Sequence, residues 1–125
     1  MTDAVWTLSE TCQGNIKPVS YELLAWGRKL ADDLHVELVA IVPGSNLSKN
    51  DLQTLHQHGA DVVRVIDEPA LKDFRVRPYA YALKHLVETY QPQIFLAKNT
   101  VTGWKIACRI GHQLIGCRFL RLGLE

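Results

Sequence analysis

The chain has 125 residues, enough for one domain with its own core, and 47% hydrophobic with 22% charged residues is the composition of an ordinary globular protein. A formal net charge of +1 argues against general nucleic-acid binding, and with no run of 18 apolar residues the sequence offers no membrane-spanning helix. Three cysteines (Cys12, Cys108, Cys117) without a CxxC pair argue against zinc and a disulfide framework and suit a reducing, cytoplasm-like compartment.

Strand and helix signals alternate along the chain. Ala4 to Leu8 reads as a first strand, followed by a polar loop through Asn15. Pro18 and Ser20 open a first helix, whose apolar stripe is Val19, Leu23, Leu24, Gly27, Leu30, Ala31 and Leu34 at spacings of three and four. Val36 to Val42 is a second strand, apolar enough to be buried on both faces, and Pro43-Gly44-Ser45 terminates it. Ser48 and Asp51 form a capping box in its Asp form for a short second helix, which Gly59 stops. Asp61 to Asp67 is a third strand.

The connection from Glu68 to Arg77 is long and carries Lys72, Arg75 and Arg77. Pro78 lies in the first turn of a third helix with Tyr79, Leu83, Leu86, Val87 and Tyr90 inward, and Pro92 ends it. Ile94 to Ala97 is a short fourth strand. Lys98 to Gly103 leads into a fourth helix with Gly103, Ile106, Ala107, Ile110 and Leu114 on one side, and Gly116 stops that helix. The tail 117–125 reads as an edge strand or as a segment that packs on another chain.

This alternation predicts a single α/β domain over 1–125: a Rossmann-like three-layer αβα sandwich on a mostly parallel sheet of four to five strands. In such sheets ligands lie beyond the carboxyl ends of the strands, at a switch in strand order. Three loops qualify: Glu10 to Asn15, Pro43 to Leu47, and Lys98 to Gly103. The third is the best candidate. Asn99, Thr100 and Thr102 offer side-chain hydrogen bonds, Gly103 permits close backbone approach, and Lys105 with Lys98 adds positive charge at a helix N-terminus that suits a phosphate or carboxylate. Equally, Thr100 or Thr102 is simply the N-cap of that helix.

Between Thr89 and Leu124 there are five Lys and Arg residues and no Asp or Glu, a stretch that attracts an anion or acidic partner or forms a solvated basic face. Neither GxGxxG nor GxxxxGK[ST] occurs, so the dinucleotide and P-loop patterns lack their glycines. His56 and His58 are two apart and point in different directions on a helix, with no further metal ligands at suitable spacing. No GxSxG elbow or other nucleophile constellation stands out. Trp104, at the start of the fourth helix, suits either packing or a partner surface.

The ordered series Val5-Trp6-Thr7-Leu8-Ser9-Glu10, Pro18 to Leu24, Arg28 to Asp32, His58 to Val65, Asp67 to Leu71, Pro78 to Leu83 and Gln91 to Ile94 resembles the N-terminal domain of the electron transfer flavoprotein alpha subunit. The resemblance runs from about residue 4 to about residue 116. It implies a heterodimer with a beta-like subunit that carries electrons from acyl-CoA or other dehydrogenases to a quinone reductase or another acceptor. In that family most contacts to FAD belong to a second domain. The expectation is therefore a scaffold and docking domain, without catalytic residues of its own, that does not bind FAD alone. Two departures qualify the match: Trp104 stands where the family places an Arg after Gly, and the tail Cys117 to Arg121 is basic and apolar where the family is acidic and Thr-rich. The alternative expectation is a stand-alone AMP- or ATP-binding module of adenine-nucleotide-hydrolase-like fold, using Asn99, Thr100, Thr102, Gly103 and Lys105.

Overall fold

A computed structural model describes residues 2–98, 100, 102, 105, 106, 109 and 118–122, with backbone only for 2–3 and 118–122. Expectations placed on Asn99, Gly103, Trp104, Ala107, Cys108, Ile110, Leu114, Gly116 and Cys117 lie outside the described residues. The chain opens with strand β1 (Thr2–Leu8), a small hairpin of β2 (Thr11–Cys12) and β3 (Asn15–Ile16), and helix α1 (Pro18–Leu34). Then come β4 (Glu37–Gly44), α2 (Lys49–Gln57), β5 (Val62–Asp67), a 3-10 turn (Pro69–Leu71), α3 (Val76–Tyr90), β6 (Pro92–Lys98) and β7 (Arg118–Leu122). Thr102, Lys105, Ile106 and Arg109 between the last two strands are helical.

The five long strands are parallel in the order β5-β4-β1-β6-β7. Alternation along β1 and β4 divides the core between two faces. Trp6, Leu8, Val39 and Ile41 pack with Leu83 and Val87 of α3 and with Ile106. Val5, Leu38, Ala40 and Val42 pack with Leu23, Leu24 and Ala31 of α1 and with Leu55 of α2. Helices therefore cover both faces, and β4 is buried from Leu38 to Gly44. No helix among the described residues is long and apolar enough to cross a membrane.

Local differences from the sequence reading have physical causes. The loop after β1 is a hairpin, since Gln13 and Gly14 both take positive φ and turn the chain in two residues. β4 runs through Pro43 and Gly44, paired with Ile66 and Asp67, because proline's φ fits an extended strand and only its donor is missing. For the same reason β6 begins at Pro92. Only half of the capping box forms. Ser48 Oγ accepts from the Asp51 amide at 3.4 Å, but the Asp51 carboxylate accepts from the Ile16 amide at 2.9 Å. The Ser48 amide donates instead to the Gly14 carbonyl at 3.1 Å. α1 ends on His35 in the left-handed region at φ 58°, a stop made without glycine.

Arg28 ties α1 to the start of β5, donating to the Gly59 carbonyl at 2.7 Å and to Asp61 at 3.0 Å. The Asp61 carboxylate also accepts from the Leu38 amide at 2.9 Å. That amide, and then Arg28, hold Asp61 below its ordinary value of 3.8 against the upward push of burial. A carboxylate with a lowered folded pKa contributes stability that is complete above its unfolded value and is lost as pH falls through the folded one. In urea melts Asp61→Asn should thus lose less stability than the parent chain as pH falls below the ordinary carboxylate value of 3.8. Equal losses in both proteins would show that this anchor carries none of the acid sensitivity.

Candidate functional site

From β1 the chain winds through α1 to β4 on one side, and it later returns through α3 to β6 on the other. The switch in strand order therefore falls between the carboxyl ends of β1 and β6. Ser9 and Glu10 arrive from β1; Lys98, Thr100 and Thr102 arrive from β6. Glu10 is pinned by its backbone, its amide donating to Ser20 Oγ at 2.8 Å while Ser20 Oγ donates to the Glu10 carbonyl at 3.2 Å. Its side chain, like Ser9, is buried, and its Oε2 accepts a hydrogen bond from Thr100 Oγ1 at 2.5 Å. This bond joins the two sides of the crevice.

Of the five residues expected to hold an anion, Asn99 and Gly103 lie outside the described residues. Thr100 is half-buried and bonded to Glu10, Thr102 is half-buried on the helix, and Lys105 is exposed one turn further on. Lys98 is buried and faces Glu22 of α1, its Nζ 3.6 Å from Oε2, so part of its charge is already answered within the chain. The space remaining among Leu8, Ser9, Glu10, Phe74, Tyr79 and Thr102 is about 30 Å³, the room taken by a single water. Ser9 Oγ in that lining, and Thr7 Oγ1 two residues earlier on β1, are buried without a hydrogen-bond partner among the described residues. Burial pushes the Tyr79 phenol up, with Asp73 adding to the rise, so the phenol stays protonated and donates to the Leu71 carbonyl at 2.8 Å.

A larger polar cleft of about 380 Å³ lies beside the crevice, between Gln13, Ser45 and Asn46 on one wall and Lys72 and Asp73 on the other. Asp67 fixes the first wall by accepting from the amides of Asn46 at 3.0 Å and Leu47 at 3.3 Å. Lys72 and Asp73 were missing from the sequence-based site, although the length of their connection marked it. His56 and His58 are occupied with backbone, their Nδ1 atoms 3.0 Å from the Ala60 carbonyl and 2.9 Å from the Thr54 carbonyl. No three metal-ligating side chains come together among the described residues. The arrangement offers polar contacts and one hydrogen bond across the crevice, with no nucleophile–base pair among the contacts described.

Residues 5–115 match the family model for the electron transfer flavoprotein domain. The chain is 39% identical over 113 residues to Protein FixB of Azorhizobium caulinodans, covering 89% of this chain and 31% of that protein. It is 34% identical over 111 residues to the electron transfer flavoprotein subunit alpha of Thermoanaerobacterium thermosaccharolyticum, covering 89% of this chain and 33% of that one. The LctC subunit of the lactate dehydrogenase (NAD(+),ferredoxin) of Acetobacterium woodii is 34% identical over 98 residues, covering 78% of this chain and 23% of that one. The chain spans about a third of the length of the first two of these relatives. Among solved structures, a universal stress protein from Archaeoglobus fulgidus superposes with a TM-score of 0.60 at 5% identity, over 97% of this chain and 93% of that one. A universal stress protein in complex with cAMP gives 0.60 at 12%, over 98% and 97%. At these identities the likeness is one of fold.

Proposed function

The chain belongs to the electron transfer flavoprotein domain family, and from that premise we propose that it is the N-terminal scaffold and docking domain of an alpha subunit of that family. It contributes to electron transfer from dehydrogenases to an acceptor through FAD held elsewhere, and has no catalytic residues of its own. Its direct partner is a beta-like subunit; acyl-CoA or other dehydrogenases and a quinone reductase are met through the assembled heterodimer, in the cytoplasm. The observation that carries this reading is the match of residues 5–115 to the family model, on a fold whose switch-point crevice is crossed by the Glu10–Thr100 hydrogen bond. With Glu10 bonded to Thr100, the space among Leu8, Ser9, Glu10, Phe74, Tyr79 and Thr102 is about 30 Å³, too small for an isoalloxazine or an adenine ring.

The competing reading is a stand-alone AMP- or ATP-binding module. In its favour are the polar cleft at the strand ends and the fold shared with a universal stress protein in complex with cAMP. Against it, the Thr100 hydroxyl is committed to Glu10, whose carboxylate would repel a phosphate from the loop that also carries Asn99, Thr102, Gly103 and Lys105. Titration calorimetry with a beta-like subunit should give saturable binding to this chain. Thermal melts with AMP, ATP and FAD should show no shift with any of the three. A nucleotide shift without binding of the subunit would reverse the order of the two readings.

A further inference from the structure

β5 stands at the edge of the sheet and, among the described residues, pairs only with β4. Alongside it, on the α3 face, runs an open groove of about 620 Å³ with Ile66, Leu71, Ala82 and Leu86 in its lining. Tyr81 also lines it and is 79% exposed. An apolar groove beside an open strand edge is the geometry used for adding an extended segment from another chain: backbone to the edge, alternate side chains to the groove.

The charges around the groove specify that segment further. Arg77 and His85 line it together with a single carboxylate, Glu68. Val62 and Ile66 pack into the α3-side core, so Arg64 between them projects on the same face. Its guanidinium lies over the Tyr90 ring, 3.9 Å from the centroid, one helical turn beyond Leu86. Stacking occupies the flat face of a guanidinium and leaves its in-plane N–H groups for an acceptor. Arg64 Nε is buried and has no acceptor among the described residues, an uncommon state for a buried donor. The ion pairs among those residues belong to Arg28, Lys84 and Lys98, so neither Arg64 nor Arg77 is neutralised within them.

We propose that the β5 edge and this groove receive an extended segment of the beta-like subunit that carries apolar side chains and a carboxylate. The apolar side chains cover Ile66, Leu86 and Tyr81, and the carboxylate meets the Arg64 guanidinium. This rests on the docking role argued above and gives that role a surface. The test is calorimetric titration of the beta-like subunit into the parent chain, Arg64→Glu, Tyr81→Glu and Trp26→Glu, the last on α1 across the sheet, where Trp26 is 56% exposed. Arg64→Glu and Tyr81→Glu should each weaken binding about tenfold or more, and Trp26→Glu should leave it unchanged. Hydrogen exchange of the parent chain, which needs no variant to fold, should slow at residues 62–67 in the complex. Parent-like affinity in both groove variants, or unchanged exchange at 62–67, overturns the groove and leaves docking elsewhere intact. Absence of binding by the parent chain overturns the docking role itself. A homodimer abolished by Tyr81→Glu assigns the groove to a second copy and overturns the proposal.

Discussion

Trp6→Ala should cost about 3–5 kcal/mol of folding stability, the range for removing a buried aromatic side chain and leaving a cavity behind. Trp6 sits in the central strand with 1% of its surface exposed. Its register partners are Val39 on β4 and Phe95 on β6. The Phe95 ring meets the indole edge-on, with centroids 5.6 Å apart at 76°, and Tyr90 of α3 packs against it at 6.2 Å. A domain of this size has about 5–15 kcal/mol in total, so the variant would keep only a fraction of its margin. Because Tyr90 also carries the Arg64 guanidinium, the loss reaches the β5 edge as well as the core. Trp6→Phe keeps a ring against Phe95 and should lose less. Chemical denaturation measures both, and an alanine variant within about 1 kcal/mol of the parent would contradict the packing described.

The central part of the fold was readable because it depends on burial, which periodicity reports directly. β4 is apolar at successive positions since both faces are covered, and α1 shows its stripe at three-and-four spacing since one side meets the sheet. Element ends were harder, because they are decided by partners far away in sequence. The Ser48–Asp51 pattern is local, yet Asp51 is drawn to the Ile16 amide, 35 residues upstream, where the β2–β3 hairpin needs an acceptor. His35 and Gln91 stop their helices in the left-handed region with side chains that rarely announce such a stop. The third-helix stripe was correct at Tyr79, Leu83 and Val87. Leu86 is only partly buried because it lines the open groove beside β5, and Tyr90, at the end of the helix, is exposed although its ring packs against Trp6.

The candidate site divides in the same way. Small polar residues at a helix start mark the loop after β6 in any sequence window, and Thr100 and Thr102 do lie at the switch point. What no window reveals is that Thr100 is bonded to Glu10, 90 residues earlier, or that Lys98 faces Glu22 of α1. Both contacts join the two sides of the crevice, and they engage Lys98 and Thr100 of a loop that reads as anion-seeking with their own chain. Arg64 on β5 and Arg77 on α3, beside the open edge of the sheet, have no ion-pair partner among the described residues. The acidic partner that charge in the sequence suggests for residues 89–124 is thus proposed above for a different stretch of the chain.

The β2–β3 hairpin supplies the second large effect. Gly14 has φ 84° and follows Gln13 at φ 51°, the pair of positive values that a two-residue hairpin loop of this hand requires. A β-carbon on Gly14 would stand 2.5 Å from the Asn46 carbonyl oxygen, a backbone atom with no rotamer to escape into. Moving Asn46 away would strain the bond from the Ser48 amide to the Gly14 carbonyl, and with it the start of α2. About 1–2 kcal/mol for a side chain in the left-handed region adds to about 1–3 kcal/mol for overpacking, so Gly14→Ala should cost roughly 2–5 kcal/mol. Gln13→Gly, which keeps the positive φ and adds no atoms, should stay within about 1 kcal/mol of the parent. Thermal melts of the two variants separate a hairpin held by backbone geometry from one held by its side chains. In Gly14→Ala, hydrogen exchange should quicken first at residues 45–48, where the displaced carbonyl lies. A Gly14→Ala protein that melts with the parent would mean the hairpin does not press on the β4–α2 loop, and the wall of the polar cleft would then have to be set by Asp67 alone.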